Sequence, residues 1–237
     1  MGLHVSPTPA SYAPATPGRS LRRPKRPSRA SSSLLSYPRL GKRLLDIAGA
    51  SAALLILSPI MLLLWALARL DGGRGLFGHD RVGRDGKVFK CWKFRSMRVD
   101  ANDALQKHLK GNPAAAAEWR NVRKLAYDPR ITPIGRIMRK YSLDELPQFW
   151  NVLRGDMSLI GPRPVCLDEL PRYGRAATLY LSVRPGLTGL WQVSGRNALS
   201  YAQRVVLDVE YCNRMDALLD LRICLATVRV VIAGHGR

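Results

Sequence analysis

One apolar run dominates the pattern of the chain. Residues 47 to 68, IAGASAALLILSPIMLLLWALA, hold 22 positions without a formal charge. As a helix the run would be about 33 Å long, enough to cross a bilayer core. It is too long for the apolar part of a signal peptide, begins late, and ends in Arg69, Leu70 and Asp71 instead of a small-residue cleavage site. Ser58-Pro59 lies at its midpoint, where proline removes a backbone hydrogen bond at a cost of about 3 kcal/mol. The Ser58 hydroxyl could satisfy the freed carbonyl and help the chain turn back. Both flanks are basic, with Arg39, Lys42 and Arg43 before the run and Arg69, Arg74, Arg81 and Arg84 after it. A single crossing would leave one basic flank on the wrong side. A re-entrant segment turning at Ser58 and Pro59, with both ends in the cytoplasm, removes that conflict; the alternative is a proline-kinked spanning helix.

The pattern then changes period. Residues 75 to 97 alternate apolar and basic positions on either side of a turn at Gly83 to Gly86, which predicts a small β-hairpin. Val88, Cys91 or Trp92, and Phe94 are expected to face the core, with Lys90, Lys93 and Arg95 on another face. Such charges are usually only solvated, but beside a membrane segment Lys93 and Arg95 are candidate phosphate contacts. Helical periodicity follows, punctuated by cap residues. Asp100 opens a helix from Ala101 to about Leu109, Asn112-Pro113 opens one through Lys124, and Thr132-Pro133 opens one from Ile134 to Lys140. Further on, Pro185 to Arg196, PGLTGLWQVSGR, reads as a glycine-punctuated loop and short strand. There Gln192 and Arg196 could reach a nucleotide or sugar. Ser200 with Gln203 forms a capping box for a helix through Met215. The apolar segment from Asp216 is either an interfacial amphipathic helix or strand-like core.

Composition adds an appendage to this plan. With 237 residues and 46% apolar content, one domain plus extensions is expected. The net charge is +21, and residues 1 to 43 hold nine basic residues and no acidic one. Rich in Pro, Ser and Ala, residues 1–38 are expected to be a disordered basic tail. The division is then tail 1–38, re-entrant membrane helix 39–71 and cytoplasmic catalytic domain 72–237. A basic tail suits nucleic acid or an anionic membrane surface, and the apolar run decides for the membrane. Cys91, Cys166, Cys212 and Cys224 lack metal or redox spacing and fit a reducing compartment. The four histidines form no ligand cluster, and there is neither a Walker loop nor GxGxxG.

The candidate chemistry lies in Tyr141 to Pro164, YSLDELPQFWNVLRGDMSLIGPRP. Asp144 and Glu145 follow the basic pair Arg139 and Lys140 and precede a helix that stops at Gly155-Asp156. Either Ser142 and Glu145 make a capping box, or Asp144 is the N-cap and Pro147 falls in the first turn. Both registers place Asp144 at the positive end of a helix, where an anion is favoured by up to about 1 kcal/mol and a phosphate is welcome. Asp144 should then stay ionised, a usable nucleophile. LDELP recurs at Leu167 to Pro171; there Asp168 and Glu169 are expected to cap.

From about Gly41 to Gly236 the chain resembles the bacterial sugar transferase family, the small monotopic phosphoglycosyl transferases. The shared motifs are KRLLD before the apolar run, KVFKCWKFRSM, SLDELPQFWNVLRGDMSLIGPRP and RPGLTGLWQVSGRN. The resemblance implies an α+β, mainly helical, monotopic membrane protein with a re-entrant N-terminal membrane helix, a small β-hairpin and interfacial amphipathic helices. It implies transfer of hexose-1-phosphate from a UDP-hexose, galactose favoured and glucose next, to undecaprenyl phosphate, the first membrane step of exopolysaccharide synthesis. Asp144 would form a phosphosugar-aspartate and release UMP, by covalent catalysis. Glu145 matches the family's Mg²⁺-binding residue, and Arg163 would bind phosphate or nucleotide, supported by Lys93 and Arg95. The family pattern assigns the catalytic role to the first LDELP; Pro171 in the second departs from it. Location at the cytoplasmic face of the bacterial inner membrane, contact with anionic lipids and no nucleic-acid partner follow, and a homo-oligomer is compatible. The rivals from other classes are a non-catalytic scaffold of polysaccharide assembly and a membrane-anchored nucleic-acid-binding module.

Overall fold

The computed structural model describes residues 37–122, 125–195 and 198–233. The expected tail lies outside them apart from Tyr37 and Pro38, which begin a helical turn, Tyr37–Gly41. The expected helix end at Lys124 also lies outside.

The apolar run is one helix, α1, Lys42–Ala68. Helical hydrogen bonding continues through Pro59, so the chain does not break there. The carbonyl orphaned by Pro59 belongs to Leu55, four residues back, and the Ser58 hydroxyl donates to it at 2.9 Å. The polar residues of KRLLD have tertiary partners. Lys42 pairs with Asp220 at 2.5 Å, and Arg43 donates to the Val152 and Leu153 carbonyls at 2.6 and 2.7 Å. Asp46 accepts from Ser158 Oγ at 2.9 Å and from the Leu159 backbone N–H at 2.8 Å. At the other end, Leu64 and Ala68 are buried with Phe94 and Met138. Both ends of α1 therefore dock on one body. Between them Leu55, Ile56 and Leu62 are 78, 73 and 67% exposed.

The hairpin forms as expected, β1 (Leu76–Val82) antiparallel to β2 (Val88–Phe94), in register from Leu76 opposite Phe94 to Val82 opposite Val88. Its turn uses Asp85 and Gly86 at positive φ. Cys91 and Phe94 are buried, but Val88 is 56% exposed, contrary to expectation. The grouping of Lys90 with Lys93 and Arg95 also fails, because a strand's period of two separates 90 from 93 and 95. Lys90 pairs with Asp80 at 2.8 Å in solvent.

Arg95 corrects the sequence reading most sharply. Its guanidinium donates to the Ala68 and Arg74 carbonyls and to both carboxylate oxygens of Asp71. It clamps the C-terminal end of α1, where a cation also complements the helix dipole, and is spent on structure.

Next come α2 (Ala101–Gly111) and α3 (Pro113–Val122). Asp100 makes no cap; its carboxylate pairs with Arg98. Asn112 does cap, accepting from the Ala115 N–H at 3.0 Å. Thr132 caps α4 (Pro133–Lys140), and a Cβ on Gly135 would meet the Ser96 carbonyl at 2.1 Å, so α4 presses directly on the strand exit. After α5 (Gln148–Arg154), stopped by Gly155 at φ 88°, β3 (Ser158–Ile160) pairs in parallel with β4 (Gly186–Thr188). A Cβ on Gly186 would lie 2.1 Å from the Gly161 nitrogen, so GPRP and PGLTG meet backbone to backbone. Between these strands lie a 3₁₀ segment, Leu167–Ala176, and α6 (Ala177–Leu181). The chain ends in α7 (Leu190–Val193), α8 (Tyr201–Arg214, with the expected capping box) and α9 (Ala217–Ile232), which is helix and not strand.

Replacing Arg95 by Ala should cost about 2 kcal/mol or more of stability, read by denaturation in detergent, and leave the KM for a phosphate-bearing substrate unchanged. Unchanged stability with a raised KM would return Arg95 to a phosphate-binding role.

Candidate active site

The helix expected to begin at Ser142 or Asp144 begins later. Tyr141 closes α4, Ser142 takes the left-handed conformation (φ 56°, ψ 24°), and Leu143–Glu145 form a 3₁₀ turn. Pro147 is then the backbone N-cap of α5, without a side-chain cap. Both sequence registers are thus wrong: neither Ser142 nor Asp144 caps. A non-glycine residue at positive φ is strained, and such strain gathers at functional sites. Here it turns the chain so that Asp144 points inward, 8% exposed, while Glu145 stays at the rim.

Long-range bonds set what faces the pair. Asn151 on α5 bonds to β2 like a neighbouring strand, accepting from the Trp92 N–H at 3.0 Å and donating to the Lys90 carbonyl at 2.8 Å. That clasp brings Lys93, one residue further on, to the carboxylates. Its ammonium lies 2.6 Å from Glu145 Oε1 and 3.9 Å from Asp144 Oδ2. Arg139, steadied by Ser96 Oγ at 2.8 Å, adds a second positive charge.

The electrostatics differ from the helix-end expectation. Burial pushes the Asp144 carboxyl above its usual range and Glu145 adds to this, while Lys93 and Arg139 act against it. Burial opposes the charge on Lys93, but Glu145 and Asp144 outweigh it and raise its pKa. Asp144 is therefore a desolvated carboxylate whose ionisation leans on neighbouring cations, not on a helix dipole.

The carboxylates line a cavity of about 670 Å³. Arg163, Trp191 and Gln192 line it too. The Arg163 backbone N–H reaches Asp208 Oδ1 at 3.4 Å, and its guanidinium lies 5.5 Å from the Trp191 ring centre. Burial pushes Asp208 up to about 7, against the hydrogen bonds from Tyr173 and Arg163. Gln192 donates to the Leu187 carbonyl at 3.5 Å. Arg196 lies outside the described residues. Arg95 borders the cavity, but its guanidinium is engaged at the end of α1. The second LDELP does cap: Glu169 accepts from the Cys166 N–H at 3.0 Å and pairs with Arg81 at 3.3 Å. Sequence reasoning missed Asp208 and Trp191. Only a carboxylate inside the apolar frame of LDVEY hinted at Asp208.

Residues 37–234 match the model of the bacterial sugar transferase family. The chain belongs to that family. It is 50% identical over 198 residues to the exopolysaccharide production protein ExoY of Sinorhizobium fredii, covering 83% of this chain and 88% of the relative. It is 49% identical over 195 residues to the undecaprenyl-phosphate galactose phosphotransferase of Salmonella typhimurium, covering 82% of this chain and 41% of that longer protein. It is 36% identical over 199 residues to the UDP-glucose:undecaprenyl-phosphate glucose-1-phosphate transferase of Escherichia coli, covering 80% and 40%. As a bacterial sugar transferase the protein is an enzyme, and the Asp144–Glu145 cavity is its candidate active site.

Among the described residues no three His, Cys, Asp or Glu side chains converge as a closed metal site. Glu145, the carboxylate at the cavity rim, does fit a Mg²⁺ that takes its remaining ligands from water and phosphate.

Removing the Lys93 charge, as in Lys93→Met, should move the acid limb of the pH–rate profile upward. The sign follows from the reaction requiring ionised Asp144, whose raised pKa Lys93 holds down. An unmoved acid limb in a folded variant would show that Lys93 does not tune the carboxylate.

Proposed function

We propose that this sugar transferase moves hexose-1-phosphate from a UDP-hexose to undecaprenyl phosphate, releasing UMP, and so begins an exopolysaccharide repeat. The observation that carries the reading is Asp144, a buried carboxylate held beside Lys93 at the wall of a cationic cavity. In the first half-reaction an Asp144 oxygen bonds to the sugar-bearing phosphorus, and the bond to the bridging oxygen breaks. That oxygen leaves with UMP. In the second, a phosphate oxygen of the lipid bonds to the same phosphorus and the Asp144 carboxylate is released; no net proton is needed. Lys93 keeps Asp144 ionised and Arg163 binds phosphate, with Gln192 and Arg196 on the donor side. Glu145 would hold Mg²⁺, which when bound neutralises phosphate charge. Galactose is the favoured sugar and glucose the next, in keeping with the Salmonella and Escherichia relatives' names.

The same reading makes the protein monotopic. Both ends of α1 dock on one body, both flanks are basic, and the exposed apolar residues lie between them, which supports a re-entrant helix placed from the cytoplasmic side of the inner membrane. Leu218, Leu221, Leu225, Val228 and Ile232 on α9 repeat at alternating steps of three and four and are 53 to 75% exposed. Such a stripe suits an interfacial helix. The basic flanks suit anionic lipids and the lipid phosphate.

Without lipid acceptor the enzyme should exchange labelled UMP into UDP-hexose. Asp144→Asn should lower this exchange about a thousandfold or more; turnover with lipid but no exchange would show a direct transfer instead. Single cysteines at Leu40 and Arg74, in a background without the native four, should both label from the cytoplasmic side. Labelling from opposite sides would establish a spanning helix.

A further inference from the structure

Arg163 lines the cavity from a stretch, Gly161 to Cys166, whose two prolines, Pro162 and Pro164, have no backbone N–H. Each remaining N–H has a partner. Gly161 donates to the Thr188 carbonyl at 2.9 Å, continuing the pairing of β3 with β4. The other three go to side chains: Arg163 to Asp208 Oδ1 at 3.4 Å, Val165 to Tyr180 Oη at 3.2 Å and Cys166 to Glu169 Oε2 at 3.0 Å. Backbone donors mostly find backbone acceptors. A run of side-chain acceptors here means that the surroundings, not local secondary structure, hold the stretch that carries Arg163.

Two buried phenols organise that hold. Tyr180, on α6 and 2% exposed, accepts from the Val165 N–H and donates to the Val82 carbonyl at 3.0 Å, at the end of β1. Tyr173, in the 3₁₀ segment and 5% exposed, donates to Asp208 Oδ2 at 2.6 Å, and the other oxygen of that carboxylate takes the Arg163 N–H. The two rings pack on each other with 4.9 Å between centres. Burial raises the pKa of both phenols, so each keeps the proton that it donates. Both come from the segment between β3 and β4, residues 167 to 181, which the two half-reactions above leave without a task. Phenylalanine would serve apolar packing at both positions, whereas a buried hydroxyl has to be hydrogen-bonded. These bonds lead to the backbone at Arg163, through Asp208, and at Val165.

We infer that Tyr173 and Tyr180 are positioning residues for Arg163: their hydroxyls fix the backbone from which its guanidinium is set against a phosphate of the substrate. Neither tyrosine touches the substrate. A guanidinium binds phosphate through two N–H bonds in one plane, so a small rotation of the backbone that carries it weakens both. The inference rests on the reading of Arg163 as a phosphate contact, and adds to it how that contact is held in place.

Calorimetric titration of the full chain in detergent, with Mg²⁺ present, tests this with UDP as the probe and uridine as the control that carries no phosphate. Tyr180→Phe and Tyr173→Phe are compared with wild type, each alone and on an Arg163→Ala background. Losing either hydroxyl should lower UDP affinity about three- to tenfold, leave uridine affinity unchanged, and raise the KM for the sugar donor with little change in kcat. On the Arg163→Ala background the same substitutions should have less than about a twofold further effect, because the tyrosines act through that side chain. Equal losses for UDP and uridine, an undiminished effect on the Arg163→Ala background, or unchanged UDP affinity in both single variants would overturn the inference. If Arg163→Ala binds UDP as wild type does, the phosphate reading of Arg163 falls and the inference with it. If wild type binds no UDP, the donor reading falls, and inorganic pyrophosphate titrated against the same variants still reports on Arg163.

Discussion

One ammonium group between two carboxylates organises the chemistry of this molecule. Asp144 is buried where desolvation raises the pKa of its carboxyl group, and Glu145 next to it raises it further. Lys93, 2.6 Å from one and 3.9 Å from the other, is the charge that makes an ionised pair tolerable there. The surrounding architecture serves that placement. Asn151 ties α5 to β2 so that Lys93 arrives opposite the 3₁₀ turn, Ser142 accepts a strained conformation so that Asp144 turns inward, and Gly135 lets α4 lie against the strand exit. In the two-step reading proposed above, such a carboxylate is a nucleophile whose strength depends on keeping water out and one cation in.

The long apolar helix α1 is built into the same frame. Its first turns are held by Lys42, Arg43 and Asp46, and its last by Arg95. β2 and the residue that follows it thus carry two cations two residues apart with different tasks, Lys93 at the carboxylates and Arg95 at the helix end. If α1 enters the membrane as proposed above, anchoring it to the strand that carries Lys93 couples its depth to the position of the candidate active site. The proposed nucleotide-sugar donor and lipid-phosphate acceptor would then meet at one cavity.

Much of this was legible in the sequence wherever the determining interaction is local. The hairpin, the Asn112, Thr132 and Ser200 caps, the Gly155 stop and the Ser58 rescue of the Leu55 carbonyl all depend on neighbours within a few residues. The carboxylate pair was legible through motif resemblance, and Glu169 of the second LDELP as a cap. What escaped depends on partners far along the chain. Arg95 and Lys93 look alike on a strand, and only Asp71 and Ala68 on one side and Asp144 and Glu145 on the other separate them. Lys42 and Asp220 are 178 residues apart. The start of α5 was misplaced because Ser142 and Asp144 are good cap residues locally, while packing of Asp144 against Lys93 wins. Asp208 was invisible because a buried acid in a helix leaves no periodic trace.

The central claim is that Asp144 becomes covalently phosphorylated by the sugar phosphate. The direct measurement is the intact mass of the purified protein, incubated with Mg²⁺ and a series of UDP-hexoses in the absence of lipid acceptor, beside Asp144→Asn and Asp168→Asn. A hexose-phosphate adduct present in wild type and Asp168→Asn and missing in Asp144→Asn is the predicted result, and the donor that gives it names the sugar. An adduct that persists in Asp144→Asn and disappears in Asp168→Asn would contradict the assignment.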